Sequence, residues 1–137
     1  MARTIIRGGI IITASASYRA DVLIGGEQIL GIVKDVTLIP GDQVIDATDC
    51  YVLPGIIDVH THIKLDTGIY QTADNWEIGT KTAAWGGVTT VIDFATQFPG
   101  MNFEEAIRGR QAEAASAVID YGLHCSRWLC KQQYRLQ

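Results

Sequence analysis

The chain has 137 residues, 47 % of them hydrophobic and 19 % charged, with 15 acidic against 11 basic side chains and a formal net charge of −4. An acidic balance without a basic cluster excludes a surface built to track nucleic-acid phosphates, and three cysteines without a Cys-x-x-Cys spacing exclude a disulfide framework or a zinc ribbon. The run Ile10-Ile11-Ile12 is too short, and too soon followed by polar residues, for a signal segment or a membrane span, so the expectation is a cytoplasmic protein with Cys50, Cys125 and Cys130 reduced.

Up to Leu53 the pattern is β-rich runs at 4–6, 10–13, 20–24, 29–34, 44–47 and 51–53, separated by turn residues. Gly8-Gly9, Gly25-Gly26 and Pro40-Gly41-Asp42 supply the special backbone angles of tight turns. This predicts a small β-sandwich or twisted sheet without chemistry of its own, in which Arg7, Asp21 and Glu27 are solvated residues at strand ends.

After Pro54 the rhythm becomes strand, loop, helix, strand, helix, strand, the order of parallel βα units. Strands are predicted at 56–62, 88–94 and 118–123. The first helix is predicted to start at a capping box, Asp74-x-x-Glu77, and to end at Gly86-Gly87. The second starts at Asn102-x-x-Glu105, with Ala106, Ile107, Ala114 and Ala115 among its inward candidates.

The first of these strands carries the most informative text, Pro54-Gly55-Ile56-Ile57-Asp58-Val59-His60-Thr61-His62. Side chains two residues apart on a strand share a face, so His60 and His62 can converge on one cation. A neutral imidazole nitrogen is a favoured ligand for zinc and similar divalent metals. The plain alternative is a strand whose two histidines are satisfied by hydrogen bonds, but two of the three histidines of the chain stand here. Asp58 is expected on the same face, where two readings stand side by side: an acceptor orienting a histidine, or a buried aspartate bonded to backbone. Asp93, near the end of the second strand, reads as structural.

Residues 51–62 resemble the metal signature of the amidohydrolase superfamily. The text from Gly79 to Ala95, with its Ile92-Asp93-Phe94, and the run Val118-Ile119-Asp120-Tyr121-Gly122 resemble the hydantoinase and dihydropyrimidinase branch of the cyclic amidohydrolases. The likeness covers residues 3–124. It implies an α/β fold: a small β-sandwich, part of a urease-alpha-like composite domain, at 1–53, then the first βαβαβ units of a metal-dependent (β/α)8 barrel at 54–124. A whole barrel takes about 250 residues, so the chain is expected to be the N-terminal part of a longer protein or a truncated product.

The resemblance further implies that His60 and His62 bind one ion of a binuclear divalent-metal pair, with zinc as the expected metal. A carboxylated lysine, two more histidines and an aspartate are expected beyond residue 124, so this chain alone should hold metal weakly and hydrolyse little. Leu65, Ile69 and Tyr70, on the loop after the first strand, and Phe98, after the second, are the implied walls of the substrate pocket. The implied activity is opening of a small cyclic amide of the hydantoin or dihydropyrimidine type, by a parent that is a homotetramer and engages neither nucleic acid nor membrane. The alternatives are a non-catalytic dihydropyrimidinase-like scaffold, disfavoured by retention of both histidines, and an inactive truncated product. Residues 125–137 carry three basic and no acidic side chains and two of the three cysteines. They read as a divergent or frameshifted tail.

Overall fold

Turn glycines and short β-branched runs cut the first 54 residues into seven strands: Arg3–Arg7 (β1), Ile10–Ile12 (β2), Ser17–Arg19 (β3), Asp21–Gly25 (β4), Gln28–Val33 (β5), Gln43–Asp46 (β6) and Tyr51–Val52 (β7). The computed structural model describes residues 3–127, which divide into two compact units between Pro54 and Gly55. In the first unit one sheet has the order β5-β4-β1-β6, with β1 antiparallel to β4 and parallel to β6, and a second has the order β3-β2-β7. Ile11, Ala20 and Val22 are buried together, with Ile6, Ile24 and Val52 packed against them.

Two sequence expectations are corrected in this unit. Strand β3 was not expected, because Ser17, Tyr18 and Arg19 lack a buried face; they form an edge strand exposed along its length. Asp21 is not a solvated residue: it is 5 % exposed, and its two carboxylate oxygens accept the Gly8 and Val36 N–H groups at 2.9 and 3.0 Å. A buried carboxylate of this kind stitches two turns whose backbone donors lack sheet partners.

Asp42 provides a pH-dependent tie. Arg3 donates to it from Nε at 2.8 Å and from Nη2 at 2.5 Å, and the Ile39 N–H donates at 2.9 Å. The Arg3 hydrogen bonds, the Ile39 N–H and the Arg3 charge together lower the carboxyl from its ordinary 3.8 to about 2, against the opposing effect of burial. A carboxyl whose folded pKa is depressed stabilises fully above its unfolded value, and the contribution fades as pH falls through the folded value. The stability difference between wild type and Asp42→Asn is therefore expected to stay flat from pH 7 to about 5. It should then shrink as the pH falls through 3.8 to about 2, as read by denaturant midpoints at each pH. A difference constant down to pH 2 would refute the tie.

The second unit is a parallel sheet with two helices: Ile56–Thr61 (β8), Trp76–Trp85 (α1), Val88–Gln97 (β9), Phe103–Glu113 (α2), a 3-10 turn at Ala114–Ser116, and Asp120–Arg127 (β10). Strand order is β10-β9-β8 with both pairings parallel, so the longest strand is central. Val91, Asp93 and Ala95 of β9 are buried, and Val91 packs with Trp76 of α1 and Ala114 after α2. That alternation assigns one face of the sheet to the helices. The Asn102/Glu105 capping box forms as predicted, each side chain bonding the other residue's N–H at 2.9 and 2.8 Å.

At the first helix the expected cap shifts by one residue. Asn75, not Asp74, accepts the Ile78 N–H at 2.9 Å, while the Asp74 carbonyl accepts from Lys64. The third strand starts at Asp120 rather than 118 and runs past His124, pairing Cys125, Ser126 and Arg127 with Ala95, Thr96 and Gln97. The first three residues of the supposed tail thus continue the sheet; the rest of it, Cys130 included, lies outside the described residues. Cys50 and Cys125 are free thiols.

Gly55 leads into β8 where only hydrogen fits, since a Cβ there would stand 2.1 to 2.7 Å from the Thr89 Oγ1, Cγ2 and Cβ atoms. Gly55→Ala is expected to destabilise the second unit by about 1–3 kcal/mol, the usual cost of overpacking. Part of this should return in Gly55→Ala/Thr89→Ala. Urea midpoints decide it: an unchanged midpoint would mean the two strands separate without cost.

Candidate metal centre

Strand β8 ends in its two histidines for a local reason. Thr61 pairs with Asp93 on the helix-facing side of the sheet and donates its hydroxyl to the Asp93 Oδ2 at 3.0 Å. Its neighbours His60 and His62 therefore turn to the opposite face. There both imidazoles stand against the Phe94 ring, with centroids 4.6 and 5.0 Å away. Their Nε2 atoms are 3.3 Å apart, and both residues are exposed.

That separation is chemically informative. Two nitrogens each about 2.0–2.1 Å from a single tetrahedral zinc lie roughly 3.3–3.4 Å apart. The separation of the pair thus matches two corners of a zinc tetrahedron. The same distance suits one imidazole donating to the other in opposite tautomers. Among the described residues no cluster of three or more His, Cys, Asp or Glu side chains is positioned around one point.

Asp58 departs from expectation. It pairs with Val91, on the helix-facing side, and the register slips by one residue between Asp58 and Thr61. Such an irregularity breaks the two-residue alternation. Asp58 therefore does not share the face of the histidines, and its Oδ1 accepts the His60 backbone N–H at 3.1 Å. Of the two readings of this residue, the backbone bond is the one observed, although the side chain is exposed rather than buried.

A cavity of about 300 Å³ adjoins Phe94, with Leu65, Phe98 and Met101 among its walls and Lys64 and Arg110 at its polar side. Leu65 and Phe98 thus line one and the same cavity. Ile69 and Tyr70 do not line it: a tight turn, in which the Thr67 N–H bonds the Tyr70 carbonyl at 2.9 Å, carries them outward to 82 % and 78 % exposure. Beneath the histidines, Asp93 is fully buried, and Arg110 donates to its Oδ1 from Nε at 3.1 Å and from Nη2 at 2.6 Å. Asp93 touches neither imidazole and lies in a buried ion pair, in line with the sequence reading of it as structural. Its partner went unrecognised, although Ala106, Arg110 and Ala114 recur every four residues, and a cation on a buried stripe implies a buried anion. His124, also unassigned, stands on the far side of Phe94 with ring centroids 5.0 Å apart.

Residues 51–132 match the family described as Amidohydrolase family. The chain is 42 % identical over 127 residues to a D-hydantoinase of Streptomyces coelicolor, covering 89 % of this chain and 27 % of that protein. It is 45 % identical over 121 residues to a D-hydantoinase of Geobacillus stearothermophilus, covering 88 % and 26 %. Among solved structures, the dihydropyrimidinase from Brevibacillus agri superposes with a TM-score of 0.85 at 44 % identity, over 90 % of this chain and 27 % of that one. The chain therefore spans about a quarter of the length of these relatives.

Proposed function

Because the chain belongs to the amidohydrolase family, we propose that it is the N-terminal part of a metal-dependent hydrolase that opens cyclic amides of the hydantoin or dihydropyrimidine type. The observation that carries this reading is the 3.3 Å spacing of the His60 and His62 Nε2 atoms at the C-terminal end of a parallel strand. In this reading β8, β9 and β10 are the first three strands of a (β/α)8 barrel, whose sites assemble at the C-terminal ends of the strands. The first unit is the matching part of a composite β-sandwich domain. The parent protein is cytoplasmic and homotetrameric.

His60 and His62 would hold one ion of a zinc pair, and Phe94 backs both rings. When bound, a divalent cation in such a site supplies a water acidic near pH 7, against about 15.7 in bulk, and polarises the amide carbonyl. Leu65 and Phe98 form an apolar wall that would receive the ring substituent and exclude water. Two imidazoles fall short of the three protein ligands of a catalytic zinc, so the chain by itself should bind zinc weakly and turn over nothing. One relation to known activity is directly testable. A chimera in which residues 1–124 replace the matching segment of the Geobacillus stearothermophilus D-hydantoinase should open hydantoin or dihydrouracil in a zinc-dependent manner. A folded, zinc-loaded chimera without turnover on either ring would sink the reading.

A further inference from the structure

Asp93 gathers the side-chain contacts that fix the chain on both sides of His62, although it touches neither ring. Its Oδ2 accepts from the Thr61 hydroxyl at 3.0 Å and from the Ile63 N–H at 2.8 Å, so the residues on both sides of His62 are tied to one oxygen atom. Its Oδ1 accepts the Phe94 N–H at 2.6 Å, and the Phe94 ring backs both imidazoles. Arg110 closes the arrangement. It donates to Asp93 Oδ1 and also to the Ile63 carbonyl, so the N–H and the C=O of Ile63 are both held by the same ion pair. Arg110 is fixed in turn by Glu113, at 2.6 Å from its Nη1, and by the Trp76 ring, whose centroid lies 5.0 Å from its guanidinium carbon.

We propose, resting on the reading of His60 and His62 as metal ligands, that the buried Asp93–Arg110 pair is a positioning device that sets the spacing of the two imidazoles for a single cation. The physical case lies in how tightly Oδ2 constrains His62. With Thr61 and Ile63 bound to one buried acceptor, the backbone at His62 has little freedom to tilt its ring. An open βα loop would otherwise leave that ring mobile, and each added conformer would dilute the cation-competent arrangement. Lys64, next in the chain, sits at a φ of 51°, so the turn off the strand begins immediately after the clamp. Partners that orient a ligand from outside the coordination shell commonly alter metal affinity by about 10–100-fold when removed.

The test is titration of the whole chain with zinc chloride alone, by calorimetry, with far-UV circular dichroism on each sample. Asp93→Asn keeps the side-chain shape but offers one acceptor oxygen where the carboxylate offers two. It is expected to weaken zinc binding about 10–100-fold while the spectrum is retained. Thr61→Val removes a single hydroxyl and serves where Asp93→Asn fails to fold; a several-fold loss is expected on the order of the lower end of that range. His62→Ala is the control for the underlying reading. Unchanged affinity in folded Asp93→Asn, or in Thr61→Val where Asp93→Asn does not fold, combined with lost affinity in His62→Ala, overturns the positioning role alone. Equal affinity in wild type and His62→Ala overturns the metal reading and this inference together. A purely structural role for Asp93 would move the melting temperature and leave the zinc affinity of the folded protein unchanged.

Discussion

In the hydantoinase chimera, His60→Ala and His62→Ala are each expected to lower zinc-dependent ring opening by more than about 100-fold, above the upper end of what losing a ligand's outer partner costs. The argument is geometric. Two imidazole nitrogens 3.3 Å apart match two corners of one tetrahedron, and removal of either leaves that ion a protein ligand short. Neither substitution should disturb folding much, because both side chains are exposed and their hydrogen bond is to each other. Metal content by atomic absorption, read with turnover, separates a lost ion from a misfolded sheet. Full turnover in either variant, with zinc retained, would show that the pair is the hydrogen-bonded strand end that any two neighbouring histidines could form.

Asp93→Ala should destabilise the second unit by about 3–5 kcal/mol, the cost of breaking a buried ion pair from one side. The Arg110 side chain is 8 % exposed and that of Asp93 fully buried, so alanine at 93 strands a guanidinium away from water. It also leaves the Ile63 and Phe94 N–H groups without their acceptor. Because the loss comes from uncompensated charge rather than from the pair's net attraction, Asp93→Leu/Arg110→Met should recover much of it. Urea unfolding of the two singles and the double gives the coupling energy directly. Additive effects, or a single-variant cost below about 1 kcal/mol as for an exposed pair, would contradict this account.

The stability test and the zinc test draw on the same residues yet report different things. Stability reads the charge that Asp93 neutralises, whereas zinc affinity reads the backbone that Asp93 orients. A variant such as Thr61→Val, which keeps both charges, should affect the second more than the first.

Much of this molecule was legible in the order of its residues. The His-x-His pair on one strand face followed from the two-residue period, which held because Thr61 keeps its register with Asp93. The Asn102/Glu105 box is equally local, spanning four residues at one helix start. Turn glycines marked strand boundaries because positive φ is costly for other residues, as at Gly8, Gly26 and Gly41, with φ of 77°, 62° and 94°.

What the tertiary structure alone decided depends on residues far apart in the chain. The face of Asp58 was settled by a register slip against β9, and alternation counted along β8 could not foresee it. Asp21 became a buried acceptor because it receives two backbone donors 13 and 15 residues away. The Asp93–Arg110 pair joins residues 17 apart and reaches a carbonyl 47 residues from Arg110. Ile69 and Tyr70 were carried out of the cavity by a tight turn closed between Thr67 and Tyr70. Local periods and caps are written within a few residues. The partner of a buried charge, and the face a residue presents after a bulge, are set only when distant segments pack and every buried polar group must find its counterpart.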